Sequence, residues 1–167
     1  RIEALRRERA RKSVGRKFSR IAKIAEQYRS MFMCDENNSP VDPYETGVLL
    51  VHAYPERIAC ARPGNNAQFQ LSGGNLAQAH HQDDLAHEPW LAIANLDARD
   101  GMGKIFLASS LNPKDLMPLL KEKEIIQWNS KKGALVAVRE MRLGNIVLKS
   151  TPLPKPDQEK IQQVNLN

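Results

Sequence analysis

The chain has 167 residues, of which 41% are apolar, enough for one moderate domain plus an appended element and too many for global disorder. No run approaches the roughly 18 apolar residues that a membrane-spanning helix needs, so we expect no membrane partner. Cys34 and Cys60 are isolated and form no CxxC motif, which is typical of reduced thiols in a cytoplasmic protein. The opening residues read as the interior of a helix and indicate a segment of a longer protein.

The positive charge is concentrated at one end of the chain. Residues 1–34 contain eleven Lys and Arg against three Asp and Glu, a net charge of +8. Residues 35–167 contain fourteen against sixteen, a net charge of −2. This asymmetry favours a polyanionic partner for the first segment, although basic helical faces are often only solvated.

Residues 1–33 are predicted to form one or two basic amphipathic helices. Apolar residues recur there at spacings of three and four: Val14, Phe18, Ile21, Ala25, Tyr28 and Phe32. Cations recur about two residues out of phase with them, on the opposite face: Lys12, Arg16, Arg20 and Lys23. Residues 34–43 are polar and rich in proline, which predicts a linker.

Residues 44–154 are predicted to form a mainly β domain with a leading helix. The helix covers residues 44–54 and ends before Pro55. Seven candidate strands follow, at 57–62, 67–72, 90–97, 104–109, 124–129, 134–141 and 145–150, separated by turn-rich segments. A helix at 113–123 interrupts them. Short strands with one inserted helix favour a small antiparallel barrel of the oligonucleotide-binding (OB) type, with a β-sandwich as the alternative. Residues 155–167 are predicted to be a tail.

The motif search finds no catalytic centre and no resident metal or cofactor. Gly101-Met102-Gly103-Lys104 lacks the earlier glycine and the hydroxyl residue of a phosphate-binding loop, since Ala98 and Ile105 stand at those positions. The cluster of His80, His81, Asp83, Asp84 and His87 matches no zinc spacing and is better interpreted as a polar loop.

Four aromatic residues in candidate strands are possible stacking faces for unpaired bases: Phe69, Trp90, Phe106 and Trp128. Core packing is the favoured interpretation for each of them. Only Phe69, between two glutamines, is expected to be exposed on one side. The cations near strand ends are the candidate phosphate contacts: Arg57, Arg62, Lys131, Lys132, Arg139 and Arg142, with Arg16, Arg20 and Lys23 on the basic helix.

Several stretches occur in an order that resembles the HrpB family of bacterial DExH-box helicases. They are residues 47–59 (GVLLVHAYPERIA), 69–74 (FQLSGG), 89–97 (PWLAIANLD), 105–108 (IFLA), Trp128 and 142–148 (RLGNIVL). Together they span about residues 44–154. Two stretches depart from the family pattern, because residues 59–62 and 138–142 are poorer in arginine here.

The resemblance implies a parent with two RecA-like motor domains, a winged helix, a helical bundle and an OB-like domain. This chain would correspond to the end of the bundle plus the OB-like domain, with ATP and Mg²⁺ bound only in the motor domains. It would contact single-stranded RNA or DNA beside those domains of the same parent chain, in the cytoplasm. The alternative is a docking module that binds the motor domains or a ribosomal partner and touches no nucleic acid.

Overall fold

Three α-helices and eight strands are present in the part of the chain that the structure, a computed structural model, describes: residues 16–37, 39–64, 67–97, 101–130 and 133–154. The helices are α1 (Arg16–Met31), α2 (Pro43–Ala53) and α3 (Pro113–Leu116). The strands are β1 (Ile58–Ala61), β2 (Gln68–Leu71), β3 (Leu76–Gln78), β4 (Trp90–Asp97), β5 (Met102–Ser110), β6 (Lys121–Asn129), β7 (Ala134–Leu143) and β8 (Ile146–Pro152). Two compact units are formed, the first ending at Asp42 and the second beginning at Pro43.

Five strands of the second unit close into a barrel in the order β1-β2-β3-β5-β4. Neighbouring strands are antiparallel except β3 and β5, which are parallel, and β4 returns to pair with β1. A mainly β chain with a small closed barrel confirms the predicted fold class, and the barrel is compatible with the OB type.

Alternation along the strands fills the barrel interior with side chains. Phe69, Leu91 and Ile93 are almost completely buried there, and small residues such as Ala59 and Ala77 occupy the narrower positions. The outward positions of β2 are Gln68 and Gln70, as the two-residue period requires. The glutamines therefore face outward and Phe69 faces the core.

A second core covers the outside of β1 and β4. It is formed by α2, α3 and the turn between β7 and β8: Val51, Ile58, Trp90, Ala92, Leu111, Leu116, Leu143 and Ile146. Helix α2 approaches β5 closely, since a Cβ atom on Gly47 would lie 2.3 Å from the carbonyl oxygen of Ser110. Glycine inside this helix is explained by that backbone contact.

Strands β6, β7 and β8 form a separate antiparallel sheet in that order. The turn between β7 and β8 attaches the sheet to the barrel, because the backbone N–H and side-chain amide of Asn145 both donate to the carbonyl of Ser72, at 2.8 and 3.1 Å. The β8 pairing reaches only to Val138. Beyond it, residues 126–129 and 134–137 continue as a two-stranded arm, which we call the β-arm.

The prediction was wrong about the helix at 113–123. Helix α3 ends at Leu116, a single 3₁₀ turn covers Met117–Leu119, and β6 already begins at Lys121. Pro118 explains the early end, because proline in a helix interior removes a hydrogen bond and clashes with the preceding turn. The barrel consequently closes before this segment, and the last three strands lie outside it. Strand β3 was not predicted, because three residues are too few to show the alternation of apolar and polar residues that indicates a strand.

Helix α1 of the first unit presents apolar side chains to solvent. Phe18 is buried, but Ile21 and Tyr28 of the predicted stripe are 49% and 57% exposed. Ile24 and Met31 are exposed as well. Val14, also in that stripe, and the rest of residues 1–15 lie outside the described part of the chain. The observed α1 face is therefore open to a partner.

Candidate nucleic-acid interface

Arg57 is held in place by its own surroundings. Its guanidinium lies 4.5 Å from the centre of the Tyr54 ring and its Nη1 donates to the carbonyl oxygen of Ala94 at 3.2 Å. The β4–β5 ladder shifts register between Ile93 and Asn95, so this carbonyl sits at a bulge where ladder partners are disrupted. Nε also lies 3.6 Å from the Glu56 carboxylate. These contacts make Arg57 primarily a structural residue.

We expect R57A to lower the free energy of unfolding by about 1–2 kcal/mol, because it removes a charge-assisted hydrogen bond and a cation–π contact. Urea unfolding measures this, with R62A as the control expected to stay within about 0.5 kcal/mol. Affinity for RNA should change less than about twofold in R57A. A large loss of RNA affinity at unchanged stability would contradict this assignment.

Arg139 and Arg142 both have acidic neighbours. Arg139 lies opposite Glu124 in the β6–β7 ladder, and their side chains form a 3.1 Å ion pair. Nε of Arg142 lies 3.5 Å from Oε2 of Glu140, with both side chains largely buried and neither of these two atoms hydrogen-bonded. Much of the positive charge of both arginines is therefore balanced locally, which weakens them as phosphate ligands.

The other predicted cations are dispersed. Arg20 and Lys23 are exposed on α1, in the first unit. Arg62 is exposed just after β1, in the second unit. Lys131 and Lys132 lie outside the described residues, as does the side chain of Arg16. The predicted contacts are thus divided between the two units, and three of the nine fall outside what the structure describes.

A row of polar side chains crosses the outer face of β2, β3 and β5 instead. Gln68 and Gln78 are direct cross-strand partners, and Gln78 is the partner of Lys104 in the parallel β3–β5 pair. Nη1 of Arg62 lies 3.5 Å from Oε1 of Gln68 at one end, and the Lys104 ammonium lies 5.8 Å from the ring centre of Phe106 at the other. These five residues are called the outer row. It combines two cations, two amides and an aromatic ring.

His81 joins the middle of the outer row. The amide Nε2 of Gln78 donates to Nε2 of His81 at 3.1 Å, since an amide nitrogen donates only and the imidazole nitrogen must accept. This contact orients the amide of Gln78, which is the ladder partner of Lys104. The β2 and β3 segments QFQL and LAQ contain no carboxylate. Asp97 of β4 is the direct ladder partner of Lys104 and places a carboxylate at that edge of the row. This part of the barrel surface therefore offers amide groups and two cations to a ligand, with one acidic neighbour beside Lys104.

The predicted exposure was wrong for three of the four aromatic residues, Phe69, Phe106 and Trp128. Phe69 is fully buried, while Phe106 and Trp128 are 52% and 63% exposed. Trp90 is buried, as favoured. The sequence does contain a signal for Phe106, because it shares its strand face with Lys104, two residues earlier. Lys104 was not predicted as a contact, because it stands at the start of the strand predicted at 104–109, directly after a glycine-rich turn.

The glycine motif at residues 101–104 and the polar cluster at residues 80–87 have structural roles. Gly101 adopts a positive φ of 80° and leads into β5, so Met102–Lys104 are strand residues. Asp83 accepts a hydrogen bond from the backbone of Leu85 at 3.0 Å and caps a 3₁₀ turn. No group of three or more metal-binding side chains occurs among the described residues. Within the same residues, no helix has the length and apolar character needed to cross a membrane.

Comparison with known proteins gives consistent matches to one kind of helicase. A family model described as "ATP-dependent RNA helicase HrpB, connector region" matches residues 119–153, which correspond to the β6-β7-β8 sheet. The ATP-dependent RNA helicase HrpB of Escherichia coli (strain K12) is 30% identical over 130 residues, which cover 71% of this chain and 15% of that protein.

Two solved structures agree with these matches. The crystal structure of the E. coli DExH-box NTPase HrpB superposes with a TM-score of 0.63 at 26% identity, over 76% of this chain and 16% of the other. A crystal structure of the Escherichia coli DEAH/RHA helicase HrpB gives a TM-score of 0.59 at 26% identity, over 71% and 15%. The chain thus spans about one-sixth of the length of its relatives. By sequence and by fold, the chain belongs to the HrpB helicases and represents an accessory region that includes their connector.

Proposed function

We propose that this chain is a nucleic-acid-binding accessory region of an ATP-dependent RNA helicase, which contacts a single strand beside RecA-like motor domains of the same parent chain. ATP and Mg²⁺ belong to those motor domains in this proposal. The chain itself contributes contacts and no chemistry. The similarity to proteins named as ATP-dependent RNA helicases supports the parent activity.

The outer row is the observation that carries the proposal. Arg62 and Lys104 stand at opposite sides of a strip of amides, and Phe106 offers an exposed ring next to Lys104. Cations contact phosphates, amides donate to phosphate or sugar oxygens, and an exposed ring stacks on a base of any kind. The outer face of strands 2 and 3 is also where OB-type barrels bind oligonucleotides. Binding of this kind has little sequence preference and depends strongly on salt.

The double variant R62A/K104A tests this proposal. We expect it to weaken the binding of a fluorescein-labelled oligouridylate and to reduce the slope of log K against log salt by about 1.4, since each phosphate contact to a single strand contributes about 0.7. Anisotropy titrations at several salt concentrations measure both quantities. K114A, which removes one exposed charge outside the barrel strands, is the control and should leave affinity within about twofold. Equal affinities of the unsubstituted chain, R62A/K104A and K114A for the oligouridylate would refute the outer row as the binding site.

The apolar face of α1 supports a second candidate, a docking module. Ile21, Ile24, Tyr28 and Met31 are all exposed, a pattern more typical of a surface that packs on protein. The net charge of −2 over residues 35–167 also agrees with a protein partner. If docking is the whole function, the chain associates with the separately produced motor domains and has no affinity for oligouridylate at low salt.

A further inference from the structure

The β-arm carries an exposed tryptophan with no described element over it. Trp128 is 63% exposed, whereas Trp90 in the second core is 7% exposed. The β8 strand pairs with β7 only as far as Val138, so the arm extends beyond the third strand. A large apolar ring at the end of a two-stranded extension costs solubility unless it meets a ligand.

The cross-strand register shows which side chains share the face of Trp128. Its direct partner is Leu135, and Ile126 precedes it by two residues on the same strand. Both are only partly exposed, whereas Trp128 itself is 63% exposed. The indole therefore shares its sheet face with two apolar residues and remains largely open to solvent, as a stacking platform requires.

The sequence around Trp128 carries a net positive charge. Residues 125–138 contain two lysines, Lys131 and Lys132, and no Asp or Glu, which gives a net charge of +2. Both lysines fall in the connection between β6 and β7, outside the described residues. On the same sheet face, toward the barrel, the first ionic group is the Arg139–Glu124 pair. An anionic ligand with a flat apolar group fits these properties better than an acidic or neutral protein surface.

We infer that the β-arm is a second contact for single-stranded nucleic acid, in which Trp128 stacks on one unpaired base. This inference rests on the proposed function, because it assigns a further contact for the same strand. The stacked base is of any type, since every base has a π face, and the net positive charge of residues 125–138 favours an anionic strand. The β6-β7-β8 sheet, which we call the connector sheet, then binds nucleic acid in addition to connecting parts of the protein.

Substitution of Trp128 tests the inference in the intact chain. W128A should weaken the binding of labelled oligouridylate by about 5- to 100-fold, the effect of losing one stacked base. W128F keeps a ring and should stay within about threefold of the unsubstituted chain. Q127A removes an exposed neighbour on the opposite face of the arm and serves as the matched control, with no change expected. Circular dichroism checks that all variants are folded.

Tryptophan fluorescence separates stacking from simple charge attraction. Oligouridylate should quench the emission of Trp128, and the quenching should disappear in W128F, where only the buried Trp90 emits. Heparin is a polyanion without bases and should bind without this quenching. If W128A binds oligouridylate as tightly as Q127A does, the inference is overturned while the proposed function stands, the outcome expected if Trp128 docks on protein. Failure of the unsubstituted chain to bind overturns both.

Discussion

Replacement of Phe69 by alanine is expected to lower the free energy of unfolding by about 3–5 kcal/mol, because the ring fills the barrel interior and leaves a cavity when it is removed. The same substitution at Phe106, which is 52% exposed, should cost less than about 1 kcal/mol. Urea unfolding followed by circular dichroism measures both values. The pair forms a matched test, since an identical group is deleted from a buried and an exposed strand position.

Binding should show the opposite order. F106A should weaken the affinity for oligouridylate, because it removes the exposed ring of the outer row. F69A, measured at a temperature where it remains folded, should bind with nearly unchanged affinity. If F106A proved as destabilising as F69A, the outward position of Phe106 would be wrong. If F106A bound normally, the outer row would lose its stacking group.

The second large effect is expected at Gly144, in the turn that attaches the connector sheet to the barrel. Gly144 has a φ of +57°, and a Cβ atom there would lie 2.4 Å from the carbonyl oxygen of Ser72. That oxygen accepts two hydrogen bonds from Asn145. The substitution G144A therefore combines backbone strain with displacement of the Ser72 carbonyl, and should cost about 2–4 kcal/mol.

Gly133 supplies the control for this prediction. It has the same φ of +57°, but a Cβ atom there would meet nothing within 4 Å. G133A should therefore cost only the backbone strain, about 1 kcal/mol. Thermal or urea unfolding of the two variants gives the difference directly. Equal losses at Gly133 and Gly144 would show that the close contact with Ser72 does not matter for stability.

Much of the fold was predictable because the strands have clear boundaries. Strand β4 was predicted at 90–97 and occupies Trp90–Asp97, since a continuous apolar run between turns is typical of a strand buried on both faces. Helix α2 was predicted within one residue at each end because Pro55 follows it. The closing of the barrel by five strands was not predictable, because it depends on the parallel β3–β5 pair between segments distant in sequence.

The candidate site was less predictable, because exposure depends on which face of a strand meets the core. The alternation Gln68-Phe69-Gln70-Leu71 puts Phe69 and Leu71 on one face of β2, and in the closed barrel that apolar face meets the core, so the flanking glutamines did not indicate exposure of Phe69. Arg57 and Arg142 looked available in the sequence but are occupied by Tyr54, Ala94 and Glu140 in the fold. Only the Arg57–Ala94 contact joins segments that are distant in sequence, whereas Glu140 and Arg142 share one face of β7 and their proximity follows from the two-residue strand period.

The salt dependence of RNA binding tests the proposed function most directly. The unsubstituted chain is titrated against a labelled oligouridylate between low and physiological salt. Measurable binding that weakens as salt rises is expected, with log K falling linearly against log salt by about 0.7 for each phosphate contacted. Absence of binding at low salt, or an affinity that does not change with salt, would contradict it and favour the docking module.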